Sequence, residues 1–93
     1  MKILGYEFTV DINKSVVEDH VAGQVSIPLQ RIEMAGDLAP EQMESTIIHE
    51  IIEAINGLMQ LDLKERQVRA LEVGLWGTLR DNGVDISPLL KRK

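Results

Sequence analysis

The chain contains no cysteine. That excludes disulfides, thiol nucleophiles and thiolate metal sites, and it fits an intracellular, cytoplasmic protein. Aromatic residues are nearly missing too: Tyr6, Phe8 and Trp76 are the whole set, so the core must be aliphatic. Positive charge is scarce. Lys plus Arg number 10 against 15 Asp plus Glu, a net charge of −5. Nucleic-acid binding rests on clustered cations. The one cluster here, Lys91-Arg92-Lys93, reads as a solvated tail. No apolar run approaches the ~20 residues of a membrane span. The opening "MKILGYEF" is too short in its apolar part for a signal peptide. Repeats, low-complexity tracts and glycine-rich phosphate loops are also missing.

What remains is one small domain of 93 residues with an ordinary apolar fraction of 44%. A chain of this size buries a little over ~60% of its unfolded surface, so any site must share residues with the only core. Leu4, Tyr6, Phe8 and Val10 alternate with smaller or polar residues, the period of a half-buried strand over Leu4–Val10. Asp11 to Asp19 reads as a loop. A second strand is expected over Val21–Ile27 and a third over Arg31–Met34, paired as a hairpin, with Pro28 at a turn or edge. Pro40 suits the first turn of a helix, with Glu41 and Glu44 near its positive end. This helix should run to about Asn56, with Gly57 as its left-handed cap. A second helix is expected from Leu63 or Lys64 to Arg80, stopped by Asp81-Asn82-Gly83. Pro88, Leu89 and Leu90 suggest a short last element packed back on the core. The fold class is α+β: a small three-stranded antiparallel sheet packed on two long antiparallel helices.

The first helix carries "HEIIE", His49 to Glu53. At ~100° per residue, Glu53 lies ~40° and Glu50 ~100° from His49. The apolar set Met43, Ile47, Ile48, Ile51, Ile55 and Leu58 lies opposite, between ~120° and ~260°. Taken alone, that is a solvated polar face. The second helix carries Glu65 and Glu72 at the border of an apolar stripe formed by Val68, Leu71, Leu75 and Leu79. A partly desolvated carboxylate is costly unless it is paired or bound to metal. For Glu72 an ion pair with Arg69 or with an arginine elsewhere is the plain alternative. His20 reads as an exposed loop histidine, Ser87 as a turn residue, and Gly74 and Gly77 as allowing close helix packing.

The segments "APEQMESTIIHEIIEAIN" and "KERQVRALEVGLWGTLRDNG" resemble small phage and prophage proteins that look like minimal zincins, a metallopeptidase-related group. The resemblance implies a zincin-like domain over most of the chain, 1–93, with His49 as first metal ligand and Glu50 as general base. Glu53 stands where the second histidine of H-E-x-x-H would be; i and i+4 side chains share a helix face. In the gluzincin subgroup a glutamate on a following helix is the third ligand, which makes Glu65 the first candidate and Glu72 the second. A histidine with two glutamates is a hard, anionic set that opens the site beyond zinc to manganese, iron or calcium.

Two functions follow as expectations. One is a phage-type domain binding a divalent metal, a degenerate or working metallopeptidase. The other is a non-catalytic interaction module on the same fold. Either would take a peptide or protein partner and no nucleic acid or membrane. A peptidase also needs an edge strand to align its substrate, for which Arg31–Met34 is the expected strand. Homo-oligomerisation could complete the walls of so small a site.

Overall fold

The computed structural model describes residues 1–13 and 22–90. The expectations for His20, for the loop beyond Asn13, for Val21 in the second strand and for Lys91-Arg92-Lys93 lie outside them. Among the described residues five short strands precede two helices and a 3₁₀ turn: β1 Lys2–Ile3, β2 Tyr6–Glu7, β3 Thr9–Ile12, β4 Gly23–Ser26, β5 Arg31–Met34, α1 Pro40–Met59, α2 Glu65–Asp81, and the turn at Ser87–Leu90. The architecture is a compact α+β fold.

The expected strand over Leu4–Val10 is broken in two. Leu4 and Gly5 both take positive φ, 50° and 85°, as a two-residue hairpin turn with the twist of its strands requires. Ile3 therefore faces Tyr6 across a small β1–β2 ribbon. Leu4 and Tyr6 are exposed, whereas Phe8 is 1% exposed and enters the core. The chain then continues as β3, so Asp11 and Ile12 belong to a strand and not to a loop.

The three-stranded sheet has the order β3-β5-β4 and is mixed, which corrects the antiparallel arrangement. The hairpin of β4 and β5 is present, with Val25 opposite Ile32 and Pro28 in the turn. β5 also pairs in parallel with β3, Val10 opposite Ile32 and Ile12 opposite Met34. β5 is thus the central strand, with Ile32 and Met34 at 0% exposure. It is not the edge strand expected of it; β4 is an edge.

Pro40 opens α1, as expected, but the helix passes through Gly57 and ends at Gln60, whose φ is 53°. The role of Gly57 is close approach: a Cβ there would stand 3.1 Å from Cγ1 of Ile27 in the β4–β5 turn. Asn56 ties down the connection between the helices, its Oδ1 accepting from the Leu63 amide at 2.9 Å. α2 then returns antiparallel to α1. His49 meets Glu72, Glu44 meets Trp76 and Glu41 meets Arg80, partners that rise on one helix as they fall on the other.

α1 lies between the sheet and α2, and Ile47, Ala54 and Val68 are fully buried around it. α2 packs chiefly on α1, so of its 17 residues only Val68 is buried. Leu71 and Leu75, expected in its buried stripe, are 44% and 47% exposed. Ile86 is buried, and the 3₁₀ turn closes the core with Leu89 and Leu90 against it.

Candidate metal centre

The sandwiching of α1 changes its polar face. Glu50 is 4% exposed and Thr46 8%, because β4 covers one flank of the helix and α2 covers the next. The solvated face expected from α1 alone is therefore an internal wall. β4 comes this close because residue 23 is glycine. A Cβ there would lie 2.9 Å from Cγ2 of Thr46 and 3.3 Å from Cγ of Glu50.

Between β4, α1 and α2 lies a cavity of about 520 Å³, walled by Ala22 and Gly23, by Thr46, His49 and Glu50, and by Glu65, Arg69 and Glu72. No fully buried side-chain nitrogen or oxygen among the described residues lacks a partner. The Glu50 carboxyl has no hydrogen bond to the described residues and opens into the cavity instead. Burial pushes its pKa up from 4.5 to about 7; the nearby His49 opposes the rise, and the negative charges of Glu53, Glu65 and Glu72 add to it.

His49 is held from both sides. Its Nδ1 lies 2.7 Å from Oε1 of Glu72. A carboxylate only accepts, so this nitrogen carries a proton, and Nε2 is the ring nitrogen turned away from Glu72. Nε2 lies 3.9 Å from Oε1 of Glu65. Glu65 is also reached by Nε of Arg69 at 3.4 Å, one helical turn on.

One ligand atom each from His49, Glu53 and Glu65 lies within 4.8 Å of the others. The structure thus brings together all five residues singled out in the sequence, in different positions. Glu53 and Glu65 stand with His49 as a three-donor group. Glu72 engages the far nitrogen of the imidazole, and Glu50 faces the cavity beside them. Glu72 pairs with His49 and not with Arg69, the alternative partner.

Sequence reading missed Gly23, Thr46 and Arg69 as parts of the wall. Only Gly23 left a usable sign, a glycine within a strand pattern, which often marks close backbone approach. Deeper along the helix pair, the Trp76 indole N–H donates to Oε1 of Glu44 at 3.4 Å. The Arg80 guanidinium stacks 4.6 Å above the Trp76 ring and pairs with Glu41. These contacts link the two helices beyond the centre.

No protein-family model, curated protein or solved structure matches this chain.

Proposed function

We propose that this domain binds a divalent metal ion through His49, Glu53 and Glu65 and uses Glu50 to hydrolyse peptide bonds, as a small zincin-like domain of phage or prophage type. The observation that carries this reading is the three-donor group, within 4.8 Å, beside a buried carboxyl that faces a cavity. The donor chemistry fits a cation. One imidazole nitrogen and two carboxylate oxygens suit zinc, and equally manganese or iron. A cation there would also offset the mutual repulsion of Glu50, Glu53, Glu65 and Glu72. When bound, it would supply Lewis acidity to the cavity.

The chain's own residues take the remaining roles. Glu72 holds the proton on Nδ1 of His49 and so keeps Nε2 available, the usual part of a carboxylate behind a metal-binding histidine. Burial raises the Glu50 carboxyl above the ordinary carboxylate range in the metal-free protein, and a neighbouring cation would draw it back down, which suits a proton acceptor. Glu50 accepts a proton from water as oxygen attacks the peptide carbonyl. It returns that proton to the leaving amine as the C–N bond breaks.

The edge of β4 offers a place for substrate. The Ala35 amide donates to the Ala22 carbonyl at 2.9 Å, so alternate residues Ala22, Gln24 and Ser26 bond to β5. The backbone groups of Gly23 and Val25 consequently point to an edge that no described strand pairs. An extended peptide adding there would pass over Glu50.

A non-catalytic variant of this reading keeps the cation and loses hydrolysis. The carboxylate of Glu53, where a histidine would keep the centre less anionic, favours it. A cytoplasmic setting, in a bacterial host or phage-infected cell, is supported by the lack of cysteine. Among the described residues no helix is long and apolar enough to cross a membrane.

The test is calorimetric titration of metal-stripped protein with zinc and with manganese, followed by assay against a mixed fluorogenic peptide library. Binding with Glu50-dependent cleavage supports the peptidase; binding without cleavage leaves the interaction module.

A further inference from the structure

We infer that α2 is a homodimer interface, through which two copies of this chain pair their second helices antiparallel about a two-fold axis. The inference does not depend on the metal reading. With Val68, the one buried residue of α2, set at zero, Arg66, Ala70, Val73, Gly74, Gly77 and Asp81 all fall between ~140° and ~240° at 100° per residue. They form the face turned away from the other described residues.

This face has an apolar centre. Val73 is 67% exposed, and no large hydrophobic among the described residues is more exposed. Glycines inside a helix weaken it, yet a Cβ built at Gly74 or Gly77 meets nothing within 4 Å. Packing within the described residues therefore gives no reason for them.

The charges decide the occupant. Of the arginines of α2, Arg69 is engaged by Glu65 and Arg80 by Glu41. Of its acids, Glu65 and Glu72 are engaged by His49 or Arg69. Arg66 and Asp81 are left with no ion-pair partner among the described residues. They sit at opposite ends of the same face, about 22 Å apart along the axis. One unengaged cation and one unengaged anion at the two ends of a helix are complementary to the same helix reversed. A two-fold axis between Val73 and Gly74 brings Arg66 to Asp81 of the second copy twice over. It also lays Ala70 against Gly77, and Val73 against Gly74, where the missing Cβ atoms let the helices approach closely. Such an interface is isologous and closes at two chains. The cavity lies on the flank of α2 that carries Glu65 and Glu72, so it stays open in the dimer.

Sedimentation equilibrium of the full chain from micromolar to millimolar concentration tests this, with the charge reversals Arg66→Asp and Asp81→Arg, the pair combined, and Val73→Asp. All lie on exposed positions, and circular dichroism checks that each variant folds. The expected result is a reversible dimer. Each single reversal should weaken it roughly tenfold or more, because both symmetry-related attractions become repulsions. The combined reversal should restore it, and Val73→Asp should abolish it. A chain that stays monomeric throughout overturns the inference. So does a dimer indifferent to the single variants, or a double reversal as weak as the single ones.

Discussion

Oε1 of Glu72, on α2, lies 2.7 Å from Nδ1 of His49, on α1. This bond joins the helices at the centre of the site and sets which imidazole nitrogen faces Glu65. Glu72→Gln should preserve the fold and lower metal affinity about 10- to 100-fold, measured by titration with zinc. His49→Ala should remove binding altogether.

Glu50 gives the stability a pH dependence of definite sign. Its pKa is raised from 4.5 to about 7 in the folded protein, so between these values the folded state binds more protons than the unfolded chain. Stability then falls as pH rises through this window, by ~3 kcal/mol at most. Denaturant unfolding of metal-stripped protein at pH 4.5 and pH 8 measures it. Glu50→Gln should match the parent at the lower pH and exceed its stability at the higher one. Added metal should shrink the difference by neutralising the surrounding carboxylates.

Gly23→Ala should be destabilising by ~1–3 kcal/mol, the range for an overpacked contact. The new methyl meets Cγ2 of Thr46 at 2.9 Å, Cγ of Glu50 at 3.3 Å and the carbonyl oxygen of Glu33 at 3.3 Å. Thermal unfolding reads the loss. Any peptidase activity should fall further than stability does, because the methyl displaces Glu50.

Val68→Ala truncates the one buried side chain of α2 and should cost about 2 kcal/mol. The consequence reaches the site, since Glu65 and Glu72 are placed by the packing of α2 on α1. Metal affinity should drop together with stability, although Val68 has no ligand atom of its own.

Much of this fold was legible in the sequence for local reasons. Pro40 marked the start of α1, Asp81-Asn82-Gly83 the end of α2, and Pro28 the turn between β4 and β5, because each acts through its own backbone. Other features depended on distant neighbours. Gly57 looked like a cap, but it is inside α1 because Ile27 crowds that point. Leu4–Val10 alternated like one strand, but Gly5 turns the chain. The parallel pairing of β3 with β5 has no local sign at all.

The site followed the same division. The spacing of His49 and Glu53 is local and was readable, as were the carboxylates on the edge of the second helix. The burial of Glu50 was not, since α1 alone places it on a polar face and only β4 and α2 together enclose it. The separation of Glu65 from Glu72, one near Nε2 and one on Nδ1, depended on how the two helices face each other.

The proposed centre holds a divalent cation on His49, Glu53 and Glu65. The direct measurement is metal content by mass spectrometry of protein purified without added metal, beside His49→Ala, with melting temperature recorded before and after chelation. The expected result is about one equivalent of divalent metal per chain in the parent, little in the variant, and a lower melting temperature for the parent after chelation. Parent protein that carries no more metal than the variant, and melts identically with and without chelator, would contradict it.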